Sequence, residues 1–199
     1  MSVDSIKLKI FNSALRQAQA PRIQRIDEQT ASALACSDLY DLLHDQTLLE
    51  FEWPWARIRV AITADATDPI GDTWDARYAL PADTGRVHKI DTDGINEYQI
   101  EGGYLFCNDD SGITLVYYGS GTPLTSTSIN FQRLLEKRLA SALASDLSHD
   151  RILSRQLAQD AFEIVTLAHR ECSDWSREEA PLSLRAPGFS GRLPHYGNV

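Results

Sequence analysis

"FEWPWARIRVAIT" (residues 51–63) holds the point at which this chain changes period. Upstream of it, apolar residues return every three or four positions. From Arg57 onward they alternate, with Ile58, Val60 and Ile62 on one side and Arg59, Ala61 and Thr63 on the other. A repeat of two is a strand with one buried face, and a repeat near 3.6 is a helix. Trp53 and Trp55 flank the switch. Two large rings beside a proline are most economically core, closing a helical bundle where the chain turns into β structure.

Upstream, "SIKLKIFNSALRQAQA" (5–20) sets Ile6, Ile10, Ala14 and Ala18 at every fourth residue with Leu15 alongside, and Pro21 stops the pattern. "IDEQTASALACSDLYDLLHDQ" (26–46) predicts a second helix with Ala31, Leu34, Ala35, Leu39 and Leu42 on its inner side. Asp27 is placed to cap its start by accepting from orphaned backbone N–H groups.

Downstream, strand-like segments fall at 74–80, 86–91, 97–101, 104–107 and 113–118, separated by "DPIGD", "PADTG", "DTDG", "GG" and "NDDSG". Such short spacing predicts antiparallel hairpins or a meander. "TWDARYALPADTGRVHKI" (73–90) reads as one hairpin. In it Trp74, Ala76, Tyr78 and Leu80 alternate with Asp75, Arg77 and Ala79, Pro81 ends the first strand, and Gly85 serves the turn.

Helical spacing returns in "INFQRLLEKRLASALASDL" (129–147), whose stripe is Phe131, Leu134, Leu135, Leu139, Ala142 and Leu143. The preceding "TSTSIN" reads as capping chemistry. After "SHDR", Ser148 is expected to cap a further helix from near His149 to about Cys172, with Ile152/Leu153, Leu157, Ala161, Ile164/Val165 and Ala168 inward. The last 27 residues contain three prolines and three glycines, and aromatic residues spread singly. They predict an extended arm that lies along another surface and reaches ~90 Å at ~3.3 Å per residue.

The expected class is therefore α+β. Residues 1–56 and 127–172 form a helical bundle, 57–126 an inserted antiparallel β region, and 173–199 an extended C-terminal arm.

A length of 199 residues and 43% apolar content suit one domain or two intimate halves. The formal charge of −9 argues against phosphate-directed nucleic-acid binding, which needs clustered Lys and Arg. Cys36, Cys107 and Cys172 are odd in number and widely spaced, without C-x-x-C, which fits a reducing compartment and no disulfide framework. The N-terminus lacks the apolar core of a signal peptide, and no apolar run approaches the ~20 residues of a membrane span. A soluble chain made in a cytoplasm, without a membrane partner, is the expectation.

Chemistry-bearing motifs are weak. "DATDPIGDTWD" gathers Asp65, Asp68, Asp72 and Asp75, and a glycosidase needs two opposed carboxylates. Asp is equally an ordinary loop former, and that reading is preferred. "DTDGIN" (91–96) departs from calcium-loop spacing and lacks the closing Glu, so a turn at Asp93-Gly94 explains it better. "GSGT" (119–122) has no phosphate-loop Lys. His169 and Cys172 in "HREC" have pair spacing without further ligands, and read as a surface histidine and a packed thiol. No catalytic, cofactor or metal residue is expected.

The order of segments nevertheless has a resemblance. "NSALRQ" (12–17), "RIDEQTASALACSDLYDLL", "WPWA" (53–56), "ARYALPADTGRV" (76–87), "EYQIEGGYLFC", "LVYY" and "FQRLLEKRLASALASDLSHD" follow one another as in the tail tubular protein A family of short-tailed phages. The chain resembles these adaptors over nearly all of its length up to about residue 172. The resemblance implies a helical bundle with an inserted β region and a structural virion protein rather than an enzyme. Its partners would be the portal ring, the tail nozzle (tail tubular protein B) and further copies of itself in a ring, dodecameric in that family. Phage DNA would pass through without specific binding, and an acidic bore would help by not holding phosphates. It also implies a virion-tail location after synthesis in the host cytoplasm, and a C-terminal segment that grips the portal. Trp175, Arg185, Phe189, Arg192 and Tyr196 are the expected contact residues of that arm. The competing expectations are a carboxylate hydrolase of bacterial surface glycans using Asp65, Asp68, Asp72 and Asp75, and a small nucleic-acid-binding module.

Overall fold

The computed structural model describes residues 3–65, 74–90, 97–119 and 124–179, with the side chains of 174–179 excepted. The fold is α+β. Helices α1 (Val3–Gln17) and α2 (Ala31–Glu50) precede the β region, and α3 (Ile129–Asp146) and α4 (Arg151–Glu179) follow it. Among the described residues none of these is long and apolar enough to cross a membrane.

α3 is the hub of the helical part, touching α1, α2 and α4. Phe131, Leu134, Leu135, Leu139 and Leu143 are all fully buried along it, as the spacing predicts. Ser128 caps it, accepting from the Phe131 N–H at 3.2 Å. α1 presents Ile10, Phe11, Ala14 and Leu15 inward. Its Ser13 and Gln17 side chains both donate to Glu136 of α3, so a polar contact fixes the register of the two helices.

α2 departs from expectation in face and cap. Its buried side is Ala33, Cys36, Tyr40, His44, Thr47 and Leu48, whereas Leu34 is 46% and Leu42 68% exposed. The cap is Thr30, whose Oγ1 accepts from the Ala33 N–H, while Asp27 pairs with Arg25 at the surface. A cap must stand directly before the first turn, and Asp27 lies three residues too early. The start of α4 is corrected in the same way. Asp150 Oδ1 accepts from the N–H groups of Ile152 and Leu153, and Ser148 instead donates to the Ala18 carbonyl, tying the α3–α4 turn to the end of α1. Ile152, placed inward by the sequence pattern, is 72% exposed. α4 also continues to Glu179, so residues 173–179, expected in the arm, are helical. The remainder of the expected arm lies outside the described residues.

The β region has six described strands: β1 (Arg57–Ile62), β2 (Ala76–Ala79), β3 (Thr84–Ile90), β4 (Gln99–Glu101), β5 (Tyr104–Cys107) and β6 (Ile113–Gly119). They form two antiparallel three-stranded sheets, ordered β1-β6-β3 and β2-β5-β4. The expected 73–90 hairpin is therefore absent, because β2 and β3 join different sheets. The Thr84 N–H reaches the Pro81 carbonyl at 2.9 Å, so the turn is real, but it carries the chain from one sheet to the other. Gly85 belongs to β3 rather than to that turn. A Cβ there would stand 2.3 Å from Leu49 Cδ2, so any larger residue would have to displace the Leu49 side chain where the strand meets α2. The "GG" turn does make the expected hairpin of β4 and β5, with Gly102 and Gly103 at positive φ. The "DTDG" turn lies outside the described residues.

β6 explains how two parts become one fold. Ile113, Leu115 and Tyr117 pack between the sheets with Ala76, Tyr78, Leu105 and Cys107. Tyr118 points the other way and belongs to the helical core. A strand covered on both faces loses its alternation, and β6 is buried at nearly every position. Trp53 closes the join on the helical side. It is fully buried, its Nε1 donates to the Thr47 carbonyl at 3.1 Å, and its ring meets Phe51 at 5.2 Å and Phe131 at 5.5 Å.

Candidate functional site

The acidic loop is only partly within view. Asp68 and Asp72 lie outside the described residues. Asp65 follows β1 and accepts from Arg77 Nη2 at 2.8 Å, and its backbone N–H bonds the Arg77 carbonyl. The Arg77 guanidinium also covers the Tyr104 ring at 4.5 Å. The pair thus clamps β2 to the end of β1, which gives Asp65 a structural partner. Asp75 is exposed, and its backbone N–H reaches Asn108 Oδ1 at 3.3 Å. The structure therefore gives no pair of opposed carboxylates among the described residues of this loop.

His169 and Cys172 sit one turn apart on α4, beside a shallow hollow formed with Phe51 and Glu52. The His169 ring meets Phe51 edge-on at 4.9 Å. Cys172 is half-buried, and burial pushes its thiol up to about 11. A nucleophilic thiol needs the opposite shift, toward thiolate at neutral pH. Cys36 is raised further, to about 12, by burial alone. Among the described residues no group of three or more His, Cys, Asp or Glu side chains is arranged to hold a metal ion.

The expected contact residues Arg185, Phe189, Arg192 and Tyr196 lie outside the described residues. Trp175 lies within α4, and only its backbone is described.

A further surface feature is one that the sequence reading did not single out. On α2, Leu43, Gln46 and Glu50 form one side of a surface groove. Across from it, Ser154, Ala158 and Phe162 repeat every fourth residue on α4, and Phe162 is 71% exposed. Between the two helices the groove encloses about 440 Å³, floored by Ser141, Ala142 and Ser145 of α3. Its small residues keep the floor low, and Leu43, Phe162 and Val165 make apolar walls. One end is fixed by Arg138, which pairs with Glu50 at 2.5 Å and donates to Thr47 Oγ1 at 3.0 Å. Ser141 Oγ donates to the Ser154 carbonyl, holding α3 against α4 below the opening. Such a groove has the shape of a docking surface for a peptide segment or helix. A signal was present in the sequence: α2 carries apolar residues on more sides than one buried face can use.

A scan against family models and a search of curated proteins both return no match for this chain.

Proposed function

We propose that this chain is a structural head-to-tail adaptor of a short-tailed phage, forming a ring beneath the portal, docking the tail nozzle and lining the DNA channel. The observation that carries the reading is the ordered series of motifs from "NSALRQ" to "FQRLLEKRLASALASDLSHD", which resembles the series of the tail tubular protein A family. The α+β architecture, with its helices on either side of a β region in sequence, is compatible with the layout that this resemblance implies. Two further features support it. Large apolar residues, including Leu42 and Phe162, stand exposed on the helical part, as a subunit with neighbours requires. The net charge of −9 suits a channel past which DNA must slide.

The hydrolase reading gains no support from the described part of its loop, since Asp65 is bound to Arg77. In the adaptor reading, cells infected by a phage that cannot make this protein accumulate DNA-filled heads without tails. Complete, infectious particles formed in its absence would overturn the proposal.

A further inference from the structure

We infer that two strand edges, β4 of one copy and β1 of the next, pair with each other and join copies of this chain head to tail. The first observation is which edges are open. The sheets run β1-β6-β3 and β2-β5-β4, so β1, β3, β2 and β4 stand at their margins. β3 is irregular, with register shifts between Thr84 and Arg86 and between Val87 and Lys89, and such bulges blunt an edge. β2 is engaged beyond its own sheet, since the Arg77 carbonyl accepts from the Asp65 N–H. β1 keeps an unbroken register from Arg57 to Ile62, and among the described residues no strand pairs with its outer edge. The same is true of β4, whose three residues are all exposed. An edge of this kind offers its backbone N–H and C=O groups to another chain.

The second is complementarity. β1 carries Arg57 and Arg59 and no acid, whereas the segment Glu97–Glu101 has an acid at each end and no base. Side chains alternate along a strand, so Tyr98 and Ile100 share one face and Gln99 and Glu101 the other. β1 is divided in the same way. Ile58, Val60 and Ile62 pack toward the core between the sheets, and Arg59 and Ala61 are exposed. The antiparallel register that sets Glu101 opposite Arg59 also sets Ile100 opposite Val60, Gln99 opposite Ala61 and Tyr98 opposite Ile62. Opposite charges, and an aromatic ring beside a β-branched residue, are pairings that stabilise a sheet. A slip of one residue would turn Tyr98 and Ile100 onto the charged face.

The third is apolar surface left uncovered at β4. Ile100 is 45% and Tyr98 40% exposed, although Leu105, the cross-strand partner of Ile100, is fully buried. The core between the sheets therefore stops short at this edge. Pairing continues it, because Ile100 and Tyr98 then lie beside Val60 and Ile62 of the neighbour. The two copies share one antiparallel sheet in the order β2-β5-β4-β1-β6-β3. Each chain meets one neighbour through β4 and the other through β1, a head-to-tail contact of the kind that closes rings or grows filaments. The inference concerns contacts between copies of this chain and does not rest on the adaptor reading. Where that reading holds, it names the strands that join neighbours in the ring.

The test is disulfide trapping between full-length chains in a Cys172→Ser background, whose remaining thiols, Cys36 and Cys107, are buried. One preparation carries Ala61→Cys and the other Gln99→Cys. Both positions are exposed, so the variants keep their fold, as circular dichroism will verify. Facing residues of paired strands stand within disulfide reach. Oxidised together, the two are expected to form a dimer of one chain of each kind, several-fold above the dimers that either forms alone. Adding Arg59→Glu to the first chain is expected to lower that yield several-fold. Adding Glu101→Arg to the second then restores it, because the charge pair is reversed and not removed. A mixed dimer no more abundant than the self-dimers, a yield indifferent to Arg59→Glu, or no recovery with Glu101→Arg would overturn the inference. No portal takes part, so such a failure leaves the adaptor reading to its own test.

Discussion

Trp53 is the residue on which the join between helices and sheets depends. It is the bulkiest fully buried side chain described, it packs against Phe51 and Phe131, and its one polar atom is satisfied by the Thr47 carbonyl. Trp53→Ala is expected to cost ~3–5 kcal/mol in urea unfolding, the usual range for emptying such a site. Trp53→Phe keeps a ring but leaves that carbonyl without its donor, and should cost less, ~1–3 kcal/mol. The titratable residues make a second prediction. Burial raises Cys36 to about 12 and Cys172 to about 11, and it raises Tyr40 and Tyr118 as well. These groups are neutral when protonated, so the folded chain holds their protons more tightly than the unfolded chain does. Their contribution is complete below the unfolded thiol value of 9.0 and is lost as pH climbs through the raised values. The urea midpoint should accordingly be insensitive to these groups below pH 9.0 and decline above it. A midpoint that stays level up to about 11 would contradict this.

At the scale of elements, capping separates two readings of one helix. Thr30→Ala removes the acceptor for the Ala33 N–H and should cost ~1 kcal/mol, whereas Asp27→Ala removes only a surface pair and should leave the midpoint unchanged. The reverse result would restore Asp27 as the cap. The same helix shows what periodicity can and cannot reveal. In α3 a single stripe is apolar, and the sequence picks out Phe131, Leu134, Leu135, Leu139 and Leu143 correctly, while Ala142, expected on the same stripe, is half-buried and lines the groove. α2 intersperses apolar residues with Asp38, Asp41, Asp45 and Glu50 around the helix, so its period marks a helix without selecting a face, and Ala31, Leu34 and Leu42, expected inward, face out. Strands were found by alternation, yet pairing was not. A turn at Pro81–Thr84 suits a hairpin or a crossing between sheets equally well, and only burial of β6 between two cores decides for the crossing. The groove was missed for a related reason. Its floor is made of small residues and its walls come from helices more than a hundred residues apart, so the unused apolar sides of α2 are the trace it leaves in the sequence.

For the molecule as a whole, the sequence supplies the class and order of parts, and the structure supplies how they are joined. β6 serves both cores, so the β region and the bundle share a strand instead of meeting at a linker. That arrangement suits a subunit that must transmit position from one neighbour to the next, since sheets and helices cannot shift independently without exposing Tyr117 or Tyr118. The acidic loop, partly described, offers Asp65 as a clamp on Arg77 and leaves the assembly reading as the account's central claim. Electron microscopy of the protein mixed with the portal ring that the proposed adaptor role calls for tests that claim most directly. The account predicts added ring-shaped density on one end of the portal, built from copies of this chain around a central channel. A portal that stays bare while the protein remains a separate, compact subunit would contradict it.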